Sequence, residues 1–93
     1  MLLEIVSPEA TLFVGEVSSV TLPGVDGSFQ ILNHHAAIVS ILKEGDIKIV
    51  AESFNYSKET EDNFVKINEQ TYILKIKSGT IEMKDNKIIV LVD

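Results

Sequence analysis

The sequence contains no cysteine, no tryptophan and only two prolines among its 93 residues. The absence of cysteine excludes disulfide bonds and thiolate metal sites. Positive charge is also scarce, because 8 basic residues face 14 acidic ones and the formal net charge is −6. This charge opposes contact with phosphate backbones and with anionic lipid surfaces. We therefore expect no nucleic acid among the partners.

Long apolar runs are missing as well. No stretch of the sequence approaches the roughly 18 residues that a membrane-spanning helix needs. The N-terminal residues lack the basic region and long apolar core of a signal peptide, and they lack the Arg-rich character of a transit peptide. The sequence therefore predicts a protein of the cytosol.

What is present indicates a small folded domain. Apolar residues make up 45% of the chain and charged residues 24%, which is a globular composition. A chain of this length corresponds to one domain, 1–93, and buries only about 60–65% of its unfolded surface. Its margin of stability is therefore expected to be thin, and binding to a partner would increase it.

Alternation of apolar and polar residues dominates the sequence. Tyr72, Leu74 and Ile76, for example, share one face of a predicted strand, whereas no segment shows the apolar stripe of a helix. Turn signals separate the alternating runs at intervals of about 8–12 residues, as in antiparallel sandwiches and barrels. We predict an all-β antiparallel sandwich of about ten short strands: 2–7, 12–14, 16–22, 28–31, 37–42, 47–51, 64–68, 71–77, 80–84 and 87–92.

Two segments leave alternatives open. Residues 87–92 are apolar on both faces, so this strand is either buried on both sides or exposes one face to a protein partner. Residues 53–69 include a polar stretch without a core period, which is typical of a solvated loop or a long hairpin tip. The sequence does not specify how this segment is arranged.

The residue types that could support catalysis do not converge. His34 and His35 are adjacent, so in an extended chain they point to opposite faces, and no third histidine exists to complete a metal site. The glycines Gly24 and Gly27 could suggest a phosphate-binding loop, but a strand follows them instead of a helix, and a tight turn explains them better. No nucleophile elbow occurs. We expect no catalytic residue, metal or cofactor.

Five segments in the correct order resemble the epsilon subunit of F-type ATP synthases, specifically its N-terminal β-sandwich domain, which is called delta in mitochondria. The similarity covers nearly the whole chain except residues 53–69. The segments are LEIVSPE (3–9), LFVGEV (12–17), GSFQILNHHAA (27–37), LKEGDIKI (42–49), and the final pair SGTIEM (78–83) and IIVLVD (88–93).

The resemblance implies a non-catalytic rotor subunit of the central stalk. Such a subunit links the gamma subunit to the membrane c-ring and helps to couple proton-driven rotation to ATP synthesis. It would lie at the cytoplasmic face of the bacterial inner membrane, attached only through the complex and without a cofactor. The expected interface comprises a turn near the ring and a neighbouring corner: Val25, Asp26, Gly27, Ser28 and Phe29, then Asn33, His34 and His35.

Phe29 has two interpretations at this point, an apolar anchor in the interface or a residue of the core. Three departures from the family pattern also matter. Ala37 replaces the usual proline, which leaves the corner less rigid, and Thr80 replaces a common glycine. The sequence ends at Asp93, where the family's C-terminal helical hairpin would begin, so the protein either lacks this hairpin or extends further than the sequence given.

Two other classes of protein remain as alternatives. A stand-alone β-sandwich that binds a ligand or peptide would show the same alternation, but it would need a concave pocket lined by aromatic residues. Aromatic residues make up only 6% of the chain. A cupin-like metal enzyme would need a convergent set of histidines and carboxylates, which the sequence lacks.

Overall fold

The computed structural model describes residues 1–52 and 63–93, and in these residues the chain forms ten β-strands and no α-helix. The alternation of apolar and polar residues along each segment favours strands. Their bounds are β1 (Leu2–Val6), β2 (Thr11–Glu16), β3 (Ser19–Gly24), β4 (Gly27–Leu32), β5 (Ile38–Leu42), β6 (Gly45–Val50), β7 (Phe64–Asn68), β8 (Thr71–Ile76), β9 (Gly79–Lys84) and β10 (Lys87–Val92).

The strands form one curled sheet with the order β2-β1-β10-β9-β5-β3-β6-β8-β7, and β4 pairs with β3 beside this path. The pairing between β5 and β3 is limited to Gly24 and Leu42. At the two ends of the path, the rings of Phe13 in β2 and Phe64 in β7 meet edge to face with centroids 6.5 Å apart. The curl therefore brings both ends of the sheet together around one core.

The core contains the inward-facing members of the alternating strands. Leu3 and Ile5 in β1, together with Ile88 and Val90 in β10, are completely buried. Burying one such side chain contributes about 1.5–3 kcal/mol. The fully buried side chains come from both halves of the sheet and include Leu22, Ile31, Leu42, Ile47, Ile49, Ile81 and Met83.

Two of the hairpins with two-residue turns differ in backbone geometry. Between β9 and β10, Asp85 and Asn86 have φ angles of 53° and 61°, as a type I′ turn requires. Between β3 and β4, Val25 and Asp26 form the turn and Gly27 follows with a φ of 127°. The tight turn expected at these glycines is confirmed, and Gly27 adopts a positive φ.

The predicted sandwich is confirmed, with one difference in strand direction. β1 pairs with β10 in parallel, whereas all the other pairs are antiparallel. The first and last strands are thus neighbours in the sheet. A parallel pair needs a long connection, and here almost the whole fold provides it.

The predicted bounds of one strand, 16–22, are wrong. Glu16 pairs with Leu2 and ends β2, while β3 begins only at Ser19. The chain turns at Val17, whose N–H donates a hydrogen bond to the Met1 carbonyl at 2.9 Å. Because Val17 is itself buried, the apolar alternation continues from β2 into β3. The sequence pattern therefore does not show that one strand ends and another begins here.

The remaining differences in bounds are small. The predicted strands 2–7, 37–42 and 71–77 each extend one residue too far at one end, and 47–51 starts two residues late and ends one residue late. The predicted strands 12–14, 28–31 and 80–84 are one or two residues too short at one or both ends. The strands 64–68 and 87–92 are confirmed as predicted. The expectation for the polar part of segment 53–69 lies outside the described residues, since these exclude 53–62. Among the residues that are described, no helix is long and apolar enough to cross a membrane.

The alternative left open for residues 87–92 is decided in part. Ile88, Val90 and Val92 are buried, but Ile89 is only half-buried and Leu91 is 53% exposed. This strand therefore keeps one face in the core and leaves the other accessible.

Candidate interaction surface

The turn predicted to lie near the membrane c-ring is the tip of the β3–β4 hairpin. Val25, Asp26, Gly27 and Ser28 are all exposed. A Cβ atom at Gly24 would lie 2.8 Å from the Gly27 carbonyl oxygen. Only glycine therefore permits the two strands to approach this closely at the base of the turn.

The turn is held by the neighbouring β5–β6 connection. The Val25 N–H donates to the Ile41 carbonyl at 3.3 Å, and the Lys43 N–H donates to the Pro23 carbonyl at 2.9 Å. A Cβ atom on Gly45 would lie 2.8 Å from Cβ of Pro23. These contacts fix the position of the tip relative to the core.

Phe29 combines features of the two interpretations that the sequence left open. Its side chain is half-buried and packs against the core cluster. The ring also lies over Gly24, where an added Cβ atom would come within 2.8 Å of a ring carbon. Only part of the ring is thus available to a partner, so its role as an anchor stays a prediction.

The predicted corner contains Asn33, His34 and His35, and all three residues are exposed. The Asn33 Oδ1 accepts a hydrogen bond from the Met1 ammonium at 2.8 Å. The His34 N–H donates to Oδ1 of Asn86 at 2.8 Å, and His34 itself has a φ of 62°. The corner is therefore tied to the N-terminus and to the β9–β10 turn.

The structure does not bring the turn and the corner together. They lie at opposite ends of β4, which has six residues. A strand rises about 3.4 Å per residue, so the two ends of β4 are roughly 17 Å apart. They could contact the same partner only if that partner extended along the exposed edge of β4.

The two histidines have no metal-binding cluster around them among residues 1–52 and 63–93. The His35 Nδ1 lies 2.8 Å from the Ala36 carbonyl oxygen, a contact within the corner itself. In the part of the chain that the structure describes, no group of three His, Asp or Glu side chains could hold a metal ion. The corner and the turn are both exposed, and their role as an interface stays a prediction.

Residues 1–93 match the family described as ATP synthase, Delta/Epsilon chain, beta-sandwich domain. The chain belongs to this family. The assignment makes it a non-catalytic accessory chain rather than an enzyme. It also confirms the resemblance noted from the sequence segments.

Similar proteins include ATP synthase epsilon chains of several bacteria. The epsilon chain of Chlorobium limicola is 36% identical over 91 residues, which cover 98% of this chain and 86% of that protein. The epsilon chain of Campylobacter curvus is 34% identical over 91 residues, but the match covers only 59% of its length. Relatives of this family thus differ in how far they extend beyond the shared domain.

A solved structure has the same fold. A chain in the cryo-EM structure of the central stalk and c-ring of the Tetrahymena thermophila mitochondrial ATP synthase superimposes with a TM-score of 0.68 and 20% identity. The match covers 99% of this chain and 62% of that one. At this identity, the similarity establishes the curled β-sandwich architecture.

Proposed function

We propose that the protein is a rotor subunit of an F-type ATP synthase, which links the gamma subunit to the c-ring and helps to couple proton-driven rotation to ATP synthesis. The observation that carries this proposal is the family match over the full length of the chain. The relatives named ATP synthase epsilon chain and the structural neighbour from a central stalk and c-ring support it.

A subunit in this position must transmit torque without deforming. Ladders that connect ten strands around a packed core resist deformation cooperatively. The Val25–Asp26 turn adds a contact point that two inter-strand hydrogen bonds hold in place. We place this turn against the polar loops of the ring, because it is both exposed and rigid.

Disulfide cross-linking tests the orientation directly. The chain has no cysteine, so Asp26→Cys and His35→Cys each introduce a single thiol. The assembled complex would carry a second cysteine in the polar loop of subunit c. We expect the Asp26→Cys variant to cross-link to c and the His35→Cys variant to remain uncross-linked, because they lie at opposite ends of β4.

Cross-linking of both variants would indicate that β4 lies along the ring, which would correct the orientation and restore the corner to the interface. If neither variant cross-links in a complex that retains this subunit, contact with the c-ring through this surface is refuted.

The expected partners and location have a separate test. We expect the protein to co-purify with the gamma and c subunits from the bacterial inner membrane, and recovery only as a free soluble chain would refute the rotor role.

A further inference from the structure

The strand β4 is an edge of the sheet, because β3 is the only described strand that pairs with it. Pro23 in β3 lies opposite Ser28, and proline has no N–H, so these two residues form a non-hydrogen-bonded pair of the ladder. The N–H and C=O of Ser28 therefore point away from β3. The same holds for Gln30 and Leu32, which follow at intervals of two along the strand.

These outward backbone groups are accessible to a further strand. Ser28, Gln30 and Leu32 are all exposed, Leu32 by 53%. Within residues 1–52 and 63–93, the Leu32 carbonyl accepts the His35 N–H at 3.1 Å, and the other outward groups of these three residues have no backbone partner. A row of unpaired N–H and C=O groups is a template for pairing with another chain.

β4 also lacks the features that protect an edge strand, which are charged side chains, proline and bulges. The edge strand β7 contains Lys66, and its pairing with β8 shifts register after this residue. The pairing of the edge strand β2 shifts register between Ile5 and Val6 of β1, and β2 ends in Glu16. β4 has the sequence GSFQIL, without charge or proline, and its pairing with β3 runs without a shift. Of these three edges, β4 is best suited to accept a strand.

We propose that two copies of the protein associate through β4, with the two strands antiparallel and Gln30 on the two-fold axis. Gln30 then faces Gln30 of the second copy, and Ser28 faces Leu32 of the second copy. The Gln30 pair exchanges two hydrogen bonds, and each Leu32 N–H donates to the Ser28 carbonyl across the axis. The two curled sheets become one continuous sheet, with β3 and β4 of each copy at its centre.

The side chains of β4 fit this arrangement. Phe29 lies opposite Ile31 of the second copy in a non-hydrogen-bonded pair, whose Cα atoms are about 4.5 Å apart. Phe29 is half-buried in one copy, and the second copy covers the accessible part of its ring. Cross-strand pairs of an aromatic and a β-branched residue stabilise a sheet. On the opposite face of the strand, the exposed Leu32 lies beside the small Ser28.

The ends of the two strands are complementary as well. Counting outward equally from Gln30, Asp26 of one copy lies beside His34 of the other. An imidazole N–H can donate a hydrogen bond to a carboxylate. The turn and the corner, which lie at opposite ends of β4 within one copy, thus meet in pairs between two copies. β4 itself therefore meets the requirements for its partner strand.

This association concerns the unassembled protein and does not depend on the proposed rotor role. It covers the Val25–Asp26 turn, so a copy within the dimer cannot contact the c-ring through that turn. Pairing also protects the edge from aggregation. A six-residue edge makes a small interface, so we expect a weak dimer with a Kd of about 0.1 mM, from which monomers are released by mass action.

Disulfide trapping tests the register. Residues in a hydrogen-bonded pair have Cα atoms about 5.5 Å apart, within the range of a disulfide. Since the chain has no cysteine, Gln30→Cys places one thiol on the axis. Thr80→Cys is the matched control, because Thr80 is also exposed but lies in β9. Under the same mild oxidation, Gln30→Cys should form covalent dimers about tenfold faster than Thr80→Cys.

A charge exchange tests the two-fold axis without a disulfide. In Gln30→Lys and in Gln30→Glu, like charges meet on the axis, so the Kd from sedimentation equilibrium should rise about fivefold. An equal mixture of the two variants should regain the parental association, because opposite charges then meet. Gln30 is exposed and its backbone groups point away from β3, so both variants should stay folded, which circular dichroism verifies.

Three results would overturn the proposal. They are equal rates of cross-linking for Gln30→Cys and Thr80→Cys, a mixture of the charge variants that associates no better than either alone, and a parent protein that sediments as a monomer at about 1 mM. If the Ser28 and Gln30 amides were instead protected from hydrogen exchange only in the assembled synthase, the β4 edge would belong to an interface with another subunit, and the second copy would be refuted.

Discussion

Gly79 provides the sharpest test of the packing between β9 and β10. A Cβ atom added at this position would lie 2.5 Å from the carbonyl oxygen of Leu91 and 3.4 Å from the Cα of Val92. Ordinary contacts with a Cβ atom begin near 3.4 Å, so Gly79→Ala forces these backbones apart by nearly 1 Å. The neighbouring bond from the Asp93 N–H to the Ser78 carbonyl, 3.2 Å long, would be strained as well.

The expected cost follows from two opposing effects. Overpacking of this kind destabilises by about 1–3 kcal/mol, whereas replacing glycine restricts the unfolded chain and recovers about 0.4–1 kcal/mol. We therefore expect Gly79→Ala to lower the free energy of unfolding by about 1–2 kcal/mol. For a domain of this size, that corresponds to a decrease in Tm of about 5–15 °C.

Thermal denaturation followed by circular dichroism measures this decrease. Thr80→Ala is the matched control, because Thr80 is the next residue, is exposed, and should change stability by less than about 1 kcal/mol. A Gly79→Ala protein that melts within 2 °C (about 0.5 kcal/mol) of the parent would show that the close approach of Leu91 does not constrain this position.

Two further predictions concern the type I′ turn and the contrast between the two faces of the sheet. Asn86→Gly keeps the positive φ but removes the acceptor for the His34 N–H, so urea denaturation should show a free energy of unfolding lower by about 1 kcal/mol. Asn86→Ala should lose more, because alanine disfavours the positive φ. Equal losses would contradict the role of the backbone angle. Val90→Ala in the core should cost about 2 kcal/mol, whereas the exposed Val39→Ser should cost less than about 1. Similar losses at both positions would contradict the assignment of the outer face.

The positions of strands could be read largely from the sequence because burial repeats every second residue. Tyr72, Leu74 and Ile76 are all buried, as their alternation indicates. The corner at Val17 was missed because a buried residue at a corner continues the same alternation. The parallel pairing of β1 and β10 was also missed, since pairing between distant strands leaves no local pattern.

The candidate surfaces were predictable in part. The glycine at position 27 pointed to the exposed β3–β4 turn, because glycine readily adopts the positive φ found there. The separation of the turn from the His34 corner could not be read, because it depends on β4 being straight between them. The sequence did contain a sign of the exposed aliphatic side chains. In β5 and β10, apolar residues occupy both the inward and the outward positions, and Val39 and Leu91 on the outward side remain exposed.

The parallel neighbours β1 and β10 have a mechanical consequence. Their register joins Leu2 to Lys87 at one end and Val6 to Leu91 at the other. A force that pulls the start of β1 against the end of β10 acts in shear, so it stretches every bond of this ladder at once instead of opening them one by one like a zipper.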